Sequence, residues 1–265
     1  MSDAWPVPLP DCVSVKADGD IAHIGLNRPA KRNALSDELV TGLSLAFSNI
    51  PNGVKAVILH GEGGHFCAGL DLNELKDTTT MEGFHNSVIG QGLNNVIQYC
   101  KVPVIAVLKG AVVGGGLELA AAAHIRITEA SAFFALPEGT RGIFLGSGGT
   151  VRLPKLIGTA TVMDMMLTGR VYDAGEAHRE LRLTQYLVAD GDGHAKALEL
   201  AGKVAKNGEL SNFGIIQALP RIVESDPHTG LFTELLMAGV AQESPEAKAR
   251  LREFLELKMN KVRKD

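Results

Sequence analysis

The chain has 265 residues, 45% hydrophobic and 21% charged, which is the make-up of a globular protein long enough to bury a full-sized core without a covalent staple. Its net charge of −4 argues against a broad nucleic-acid surface, which would make the chain basic. The three cysteines (Cys12, Cys67, Cys100) are odd in number and never spaced as CxxC, so a disulfide framework and a structural zinc site are not expected, and a reducing, cytoplasmic setting is.

Residues 1–11 are proline-rich and read as a loose arm. They lack the basic flank and apolar run of a signal peptide, and no apolar stretch approaches the 18 residues of a membrane span. Residues 12–17 and 21–26 alternate around Asp18-Gly19-Asp20, a hairpin pattern. Ser36 can cap a helix running to about residue 49, with Asp37 and Glu38 in its first turn and Leu39, Leu43 and Phe47 on its apolar face. Residues 55–60 read as a buried strand that ends at Gly61-Glu62-Gly63-Gly64. Residues 73–83 are polar and 84–100 look helical. Residues 102–108 form another apolar strand, with Pro103 at its start, where proline is tolerated. An alanine-rich helix follows over 116–123, strands over 124–128 and 132–135, helices over 146–157 and 160–168, and a last strand over 185–189. Four further helices are expected near 194–206, 210–224, 228–241 and 245–260. The expected organisation is an α/β core over 1–190 and a helical region over 191–265.

The chemistry concentrates between residues 109 and 153. Gly114-Gly115-Gly116 leave a strand and open a helix, where backbone N–H groups can approach a ligand. The pattern is neither GxGxxG nor a P-loop, so nucleotide phosphate is a poor fit; a tight turn without a ligand is the bland alternative. A second glycine turn, His65 to Asp71, also follows a strand. Two such turns on neighbouring parallel strands can each offer one N–H to the same oxygen, the anatomy of an oxyanion hole. Glu118 sits among alanines and is either a solvated first-turn acid or a buried one useful for proton transfer. Glu138 follows an apolar approach to a turn and has the same two readings. Asp71 reads as a helix cap and Ser147 as a helix N-cap, since Leu145 stands where a nucleophile elbow needs glycine. Cys67 reads as a small buried thiol. None of the eight histidines has metal-ligand spacing.

Taken in order, several short stretches together resemble the crotonase superfamily, the enoyl-CoA hydratase/isomerase family. They are Asn27-Arg28-Pro29 with Asn33-Ala34-Leu35, Phe66 to Asp71, Pro103 to Ala106, Gly114 to Ala120, Pro137-Glu138, Gly148 to Leu153, Leu167 to Arg170 and Ala174 to Ala177. The resemblance implies a crotonase-like spiral of ββα units with a C-terminal helical region, and a homotrimer or dimer of trimers. It implies an acyl-CoA thioester substrate, with no metal and no cofactor beyond the coenzyme A of the substrate, and no nucleic-acid or membrane partner. By the resemblance, the backbone N–H groups of Leu70 and Gly115 form the oxyanion hole, and Glu118 and Glu138 are the catalytic pair of a 2-enoyl-CoA hydratase. Lys31, Arg32, Ala68, Gly69, Asp71 and Gly114 would meet substrate or coenzyme A, with Lys258 and Lys261 as further phosphate contacts or an ordinary cationic helix end. The acyl pocket would be lined from 72–95 and by Phe133, Ile143 and Phe144. A double-bond isomerase or hydratase-lyase on the same scaffold, and an RNA-binding or scaffold member without turnover, are the alternatives. Ala123-His124 and Leu181-Arg182-Leu183 depart from the family pattern and bear on packing.

Overall fold

The computed structural model describes residues 5–73 and 79–257. Two compact units divide between Ala205 and Lys206. The first contains strands β1 (Val13–Asp18), β2 (Ile21–Leu26), β3 (Ala56–Gly61), β4 (Val104–Leu108), β5 (Ala111–Val113), β6 (Ile125–Glu129), β7 (Phe133–Ala135), β8 (Val171–Asp173) and β9 (Tyr186–Val188). Its helices are α1 (Asp37–Ser48), α2 (Thr80–Gln98), α3 (Gly115–Ala122), α4 (Gly149–Ile157), α5 (Thr159–Thr168), α6 (Ala174–Arg179) and α7 (Gly193–Val204). The second unit is built from α8 (Glu209–Gln217), α9 (Leu219–Glu224), α10 (Pro227–Glu243) and α11 (Pro245–Leu257).

The main sheet runs β1-β2-β3-β4-β6-β9, and a smaller one runs β5-β7-β8. Within the main sheet only the β1–β2 hairpin is antiparallel. Its central strands are buried on both faces, which is why they read as unbroken apolar runs. Val57, Leu59, Val104 and Ala106 face the larger core, while Ile58, Ile105 and Ile127 pack with Ala197 and Leu200 of α7. Because α7 covers the sheet in this way, it belongs with the first unit, although the sequence grouped it with the helical tail beyond residue 190.

The spiral is visible in the alternation between sheets. β4 lies in the main sheet and β5 in the smaller one, followed by α3; β6 and β7 repeat the step and lead towards α4. The turn 66–70 extends the smaller layer through single bridges from Cys67 to Val112 and from Leu70 to Leu35.

Several expectations shift. α2 starts at Thr80, four residues early, because Thr79 and Glu82 form a reciprocal capping box inside the polar stretch. The helix expected over 210–224 is two, α8 and α9, with Pro220 in the first turn of α9, where its missing N–H costs nothing. β5 and β8, three residues each, were not anticipated. At the departure point His124, the ring accepts from Val104 N at 2.8 Å through Nδ1 and donates through Nε2 to Gln98 O at 2.9 Å, tying α2 to β4.

Outside the smaller layer, His23, His60 and His194 meet where β2, β3 and the start of α7 converge. The His23 and His194 rings stack at 5.0 Å and His60 meets His194 edge-on at 6.1 Å. Burial first, and then the neighbouring His194, His60 and Lys16 against Asp18, push His23 down to about 4. A histidine whose proton affinity is depressed by folding stabilises the fold fully above its unfolded pKa of about 6.5, and that contribution drains away as pH falls towards 4. The melting temperature should therefore fall more steeply between pH 6.5 and 4 in the native chain than in His23→Gln, as thermal melts across that range will show; parallel curves would discount the effect.

Candidate active site

The site is assembled where three stretches of chain run side by side. Leu35 N donates to Gly69 O and Asp71 N donates to Leu35 O, both at 2.8 Å, and Ala68 N donates to Arg32 O at 3.0 Å. On the other side, Cys67 N donates to Ala111 O and Val113 N to Cys67 O. With Leu35 bridged on one edge, the Leu70 N–H points to the opposite edge, where residues 113–115 pass. Gly69 has φ +97 and Gly114 φ +53, values that side-chain-bearing residues rarely adopt. Each of these glycines turns the chain immediately before one of the two amides in question. A Cβ on Gly69 would lie 3.0 Å from Val113 O and 3.8 Å from Gly115 N, so the two turns nearly touch. Neither the Leu70 nor the Gly115 N–H donates to another group among the described residues, and Gly115 opens α3, where a helix leaves its N–H groups without intrahelical acceptors.

The loop carrying Leu70 is held from outside by Arg28, which donates to Ala34 O at 2.6 Å and to Asp71 Oδ2 at 3.1 Å. That guanidinium holds the Asp71 carboxyl below its usual range. Asp71 also accepts from Asn73 N at 3.3 Å; the helix it was expected to cap falls on residues outside those described. Asn33, fully buried with φ +57, donates to Glu62 O and His65 O and accepts from Arg28 N. Lys31 and Arg32 are exposed beside Ala68; Lys258 and Lys261 lie outside the described residues.

Glu118 is 2% exposed, so it is not the solvated first-turn acid that its position allows. Its Oε1 accepts from Ser147 N at 2.9 Å and from Gly149 N at 2.8 Å. Burial raises its pKa, opposed by those two amides and by Arg152. Ser147 is therefore not a helix N-cap: Gly148 holds that position with φ +91, and the Ser147 amide serves the glutamate. This pair of donors is the feature that sequence reasoning missed; the Gly146-Ser147-Gly148-Gly149 run was the available signal. Glu138, 7% exposed, has a buried Oε2 with no partner among the described residues. Burial raises its pKa, opposed by its own backbone N–H and by Arg141, and the charge of Glu118 raises it further. Glu138 Oε1 lies so close to Gly114 that a Cβ there would collide with it. Cys67 is fully buried with its thiol pushed up to about 12, an inert packing group.

A cavity of ≈ 240 Å³ opens beside the two amides, bounded by Leu35, Leu70, Gly115 and Leu119, by one face of α2, and by Ile143 and Phe144. Phe133, expected in the acyl pocket, does not line it. No group of three or more His, Cys, Asp or Glu residues among those described is arranged to hold a metal ion.

A family model described as enoyl-CoA hydratase/isomerase matches residues 16–262. The chain belongs to that family. Among family members, the short-chain-enoyl-CoA hydratase of Clostridium acetobutylicum is 32% identical over 247 residues, covering 92% of this chain and 94% of its own. A solved chain from Rhodopseudomonas palustris CGA009, described as a candidate enoyl-CoA hydratase, is 54% identical, with a TM-score of 0.90 and coverage of 97% of this chain and 100% of that one. The enoyl-CoA hydratase structure from Bacillus anthracis is 33% identical with a TM-score of 0.87, covering 92% and 96%. These relatives support the α/β crotonase fold over nearly the whole length. Among the described residues no helix is long and apolar enough to cross a membrane.

Proposed function

We propose that this enzyme adds water across the 2,3 double bond of an enoyl-CoA thioester. The observation that carries the reading is the pairing of two buried carboxyl groups, Glu118 and Glu138, whose surroundings differ in a useful way. Burial raises both pKa values; two amides and a nearby guanidinium oppose it at Glu118, while at Glu138 the charge of Glu118 adds to it against that residue's own backbone N–H and Arg141. Glu118 then takes a proton from water as the oxygen attacks C3. The electron pair of the double bond moves onto the thioester oxygen, which the Leu70 and Gly115 amides receive. Glu138 returns a proton to C2. Lys31 and Arg32, exposed next to Ala68, suit the phosphates of coenzyme A, and Gly69, Asp71 and Gly114 shape the entry.

The exposed apolar side chains of α10, among them Leu231, Phe232 and Leu235, suit burial between subunits of a homotrimer or dimer of trimers. Incubating the purified chain with crotonyl-CoA in heavy-oxygen water and weighing the product tests the reaction. Uptake of one labelled oxygen at C3 supports hydration. Migration of a double bond in a 3-enoyl-CoA without label would favour isomerisation, and inertness towards thioesters would defeat both.

A further inference from the structure

Two peptide groups give their N–H to Glu118, and each is held from behind at its carbonyl. The peptide joining Gly146 to Ser147 donates to Glu118 Oε1, while its oxygen, Gly146 O, accepts from Gln91 Nε2 at 3.1 Å. The peptide joining Gly148 to Gly149 donates to the same Oε1, and Gly148 O accepts from Arg152 N at 3.2 Å and from Arg152 Nη1 at 3.4 Å. Between them, Ser147 O accepts from Asn94 Nδ2 at 2.7 Å. A trans peptide is planar, with N–H and C=O pointing opposite ways, so whatever fixes the oxygen also aims the N–H. Of the three side chains that brace this loop, only Arg152 carries a charge. Its guanidinium is itself anchored: Nε donates to Gln98 Oε1 at 2.6 Å and Nη2 to Asn95 Oδ1 at 2.7 Å, both near the end of α2, where Leu93 and Ile97 are buried in the core. A Cβ on Gly148 would collide with Arg152 Nη1, and one on Gly149 would lie 2.5 Å from Glu118 Cγ, so the loop is bare on the two sides where guanidinium and carboxylate approach it. A cation in the opening turn of a helix works against the helix dipole, yet α4 places Arg152 there; the carboxylate of Glu118 at the same helix end offsets that cost.

We propose that Arg152 is a positioning residue for the reaction: through the Gly148–Gly149 peptide it holds the Glu118 carboxylate in the direction from which that group meets water. The inference rests on the hydratase reading and adds a residue to it. Arg152 does not line the cavity, so it acts through Glu118 and not on the acyl group. Its charge also favours the anion of Glu118. Removing the guanidinium therefore has two effects: the peptide gains freedom to turn, which weakens one of the two donors, and Glu118 loses a nearby cation. Both act in one direction, and Glu118 holds its proton more tightly.

The test follows crotonyl-CoA hydration across the acid limb and the plateau of the pH profile in the native chain, Arg152→Gln and Arg152→Lys, with thermal melts to establish folding. In Arg152→Gln, kcat on the plateau should fall by about tenfold to 10²-fold, the scale for a slightly misplaced catalytic group, with KM little changed because the cavity wall is intact. Its acid limb should move to higher pH, since a carboxyl that has lost a cation and a well-aimed donor ionises later. Arg152→Lys keeps the charge and loses the planar fork that reaches Asn95, Gln98 and Gly148 together, so its limb should lie between the other two. An acid limb at its native position in folded Arg152→Gln, whatever the loss of rate, means a merely structural role and overturns the inference while leaving the hydratase intact; native kcat in that variant does the same. Should Arg152→Gln fail to fold, the limb of Arg152→Lys decides by the same criterion. A native chain inert towards crotonyl-CoA defeats the hydratase reading, and the inference with it.

Discussion

Glu138→Gln should lower hydration of crotonyl-CoA by about 10²–10⁴-fold, and Glu118→Gln by a similar factor, the range for loss of one positioned acid or base. The fold should survive both. In Glu118→Gln the amide oxygen can still accept from Ser147 N and Gly149 N, so the loop it holds keeps its anchor. In Glu138→Gln the side chain keeps its shape and loses a carboxyl that burial disfavours as an anion. For an acid whose proton affinity rises on folding, the native state holds more protons than the unfolded chain between the ordinary pKa near 4.5 and the raised one, so stability falls as pH climbs through that window. Glu138→Gln lacks this loss and should melt at the same or a higher temperature than the native chain at neutral pH. Activity should trace a bell against pH. Its acid limb, from Glu118 needing to be ionised, lies above the ordinary carboxylate range; its alkaline limb comes from Glu138 needing its proton. Folded variants with near-native turnover would remove the two acids from the mechanism.

Gly69→Ala should cost about 10²–10³ in kcat, the usual loss for one oxyanion donor. The backbone there sits at φ +97, which alanine occupies only with strain, and its Cβ would meet Val113 O at 3.0 Å. Relief of both moves the peptide that carries the Leu70 N–H. Leu70→Ala changes the side chain and keeps the amide, so its kcat should fall far less. Steady-state kinetics on the two variants separate the donor from the side chain; equal effects would mean that the Leu70 amide is not what the reaction uses.

The relation between sequence and structure differs by element. The hairpin around Asp18-Gly19-Asp20 and the Ser36-capped helix were legible because each is a short-range matter of turn chemistry and capping. Strands β3 and β4 were legible because a doubly covered parallel strand must be apolar throughout. β5 and β8 were not, since three residues carry no periodicity and exist only because partners on other parts of the chain pair with them. The capping box at Thr79 was present in the letters but hidden in a polar run.

By itself, then, the chain's order of residues determined the strands of the main sheet, the two glycine turns that precede residues 70 and 115, and which acids were worth watching. Only the tertiary structure decided that Glu118 is buried and held by amides 29 and 31 residues away, that Ser147 serves a carboxylate instead of capping a helix, and that one face of α2 walls the cavity. The reason is physical. Turn geometry and strand propensity are written in neighbouring residues, whereas desolvation and the aim of a backbone N–H are set by whatever distant segment packs against them.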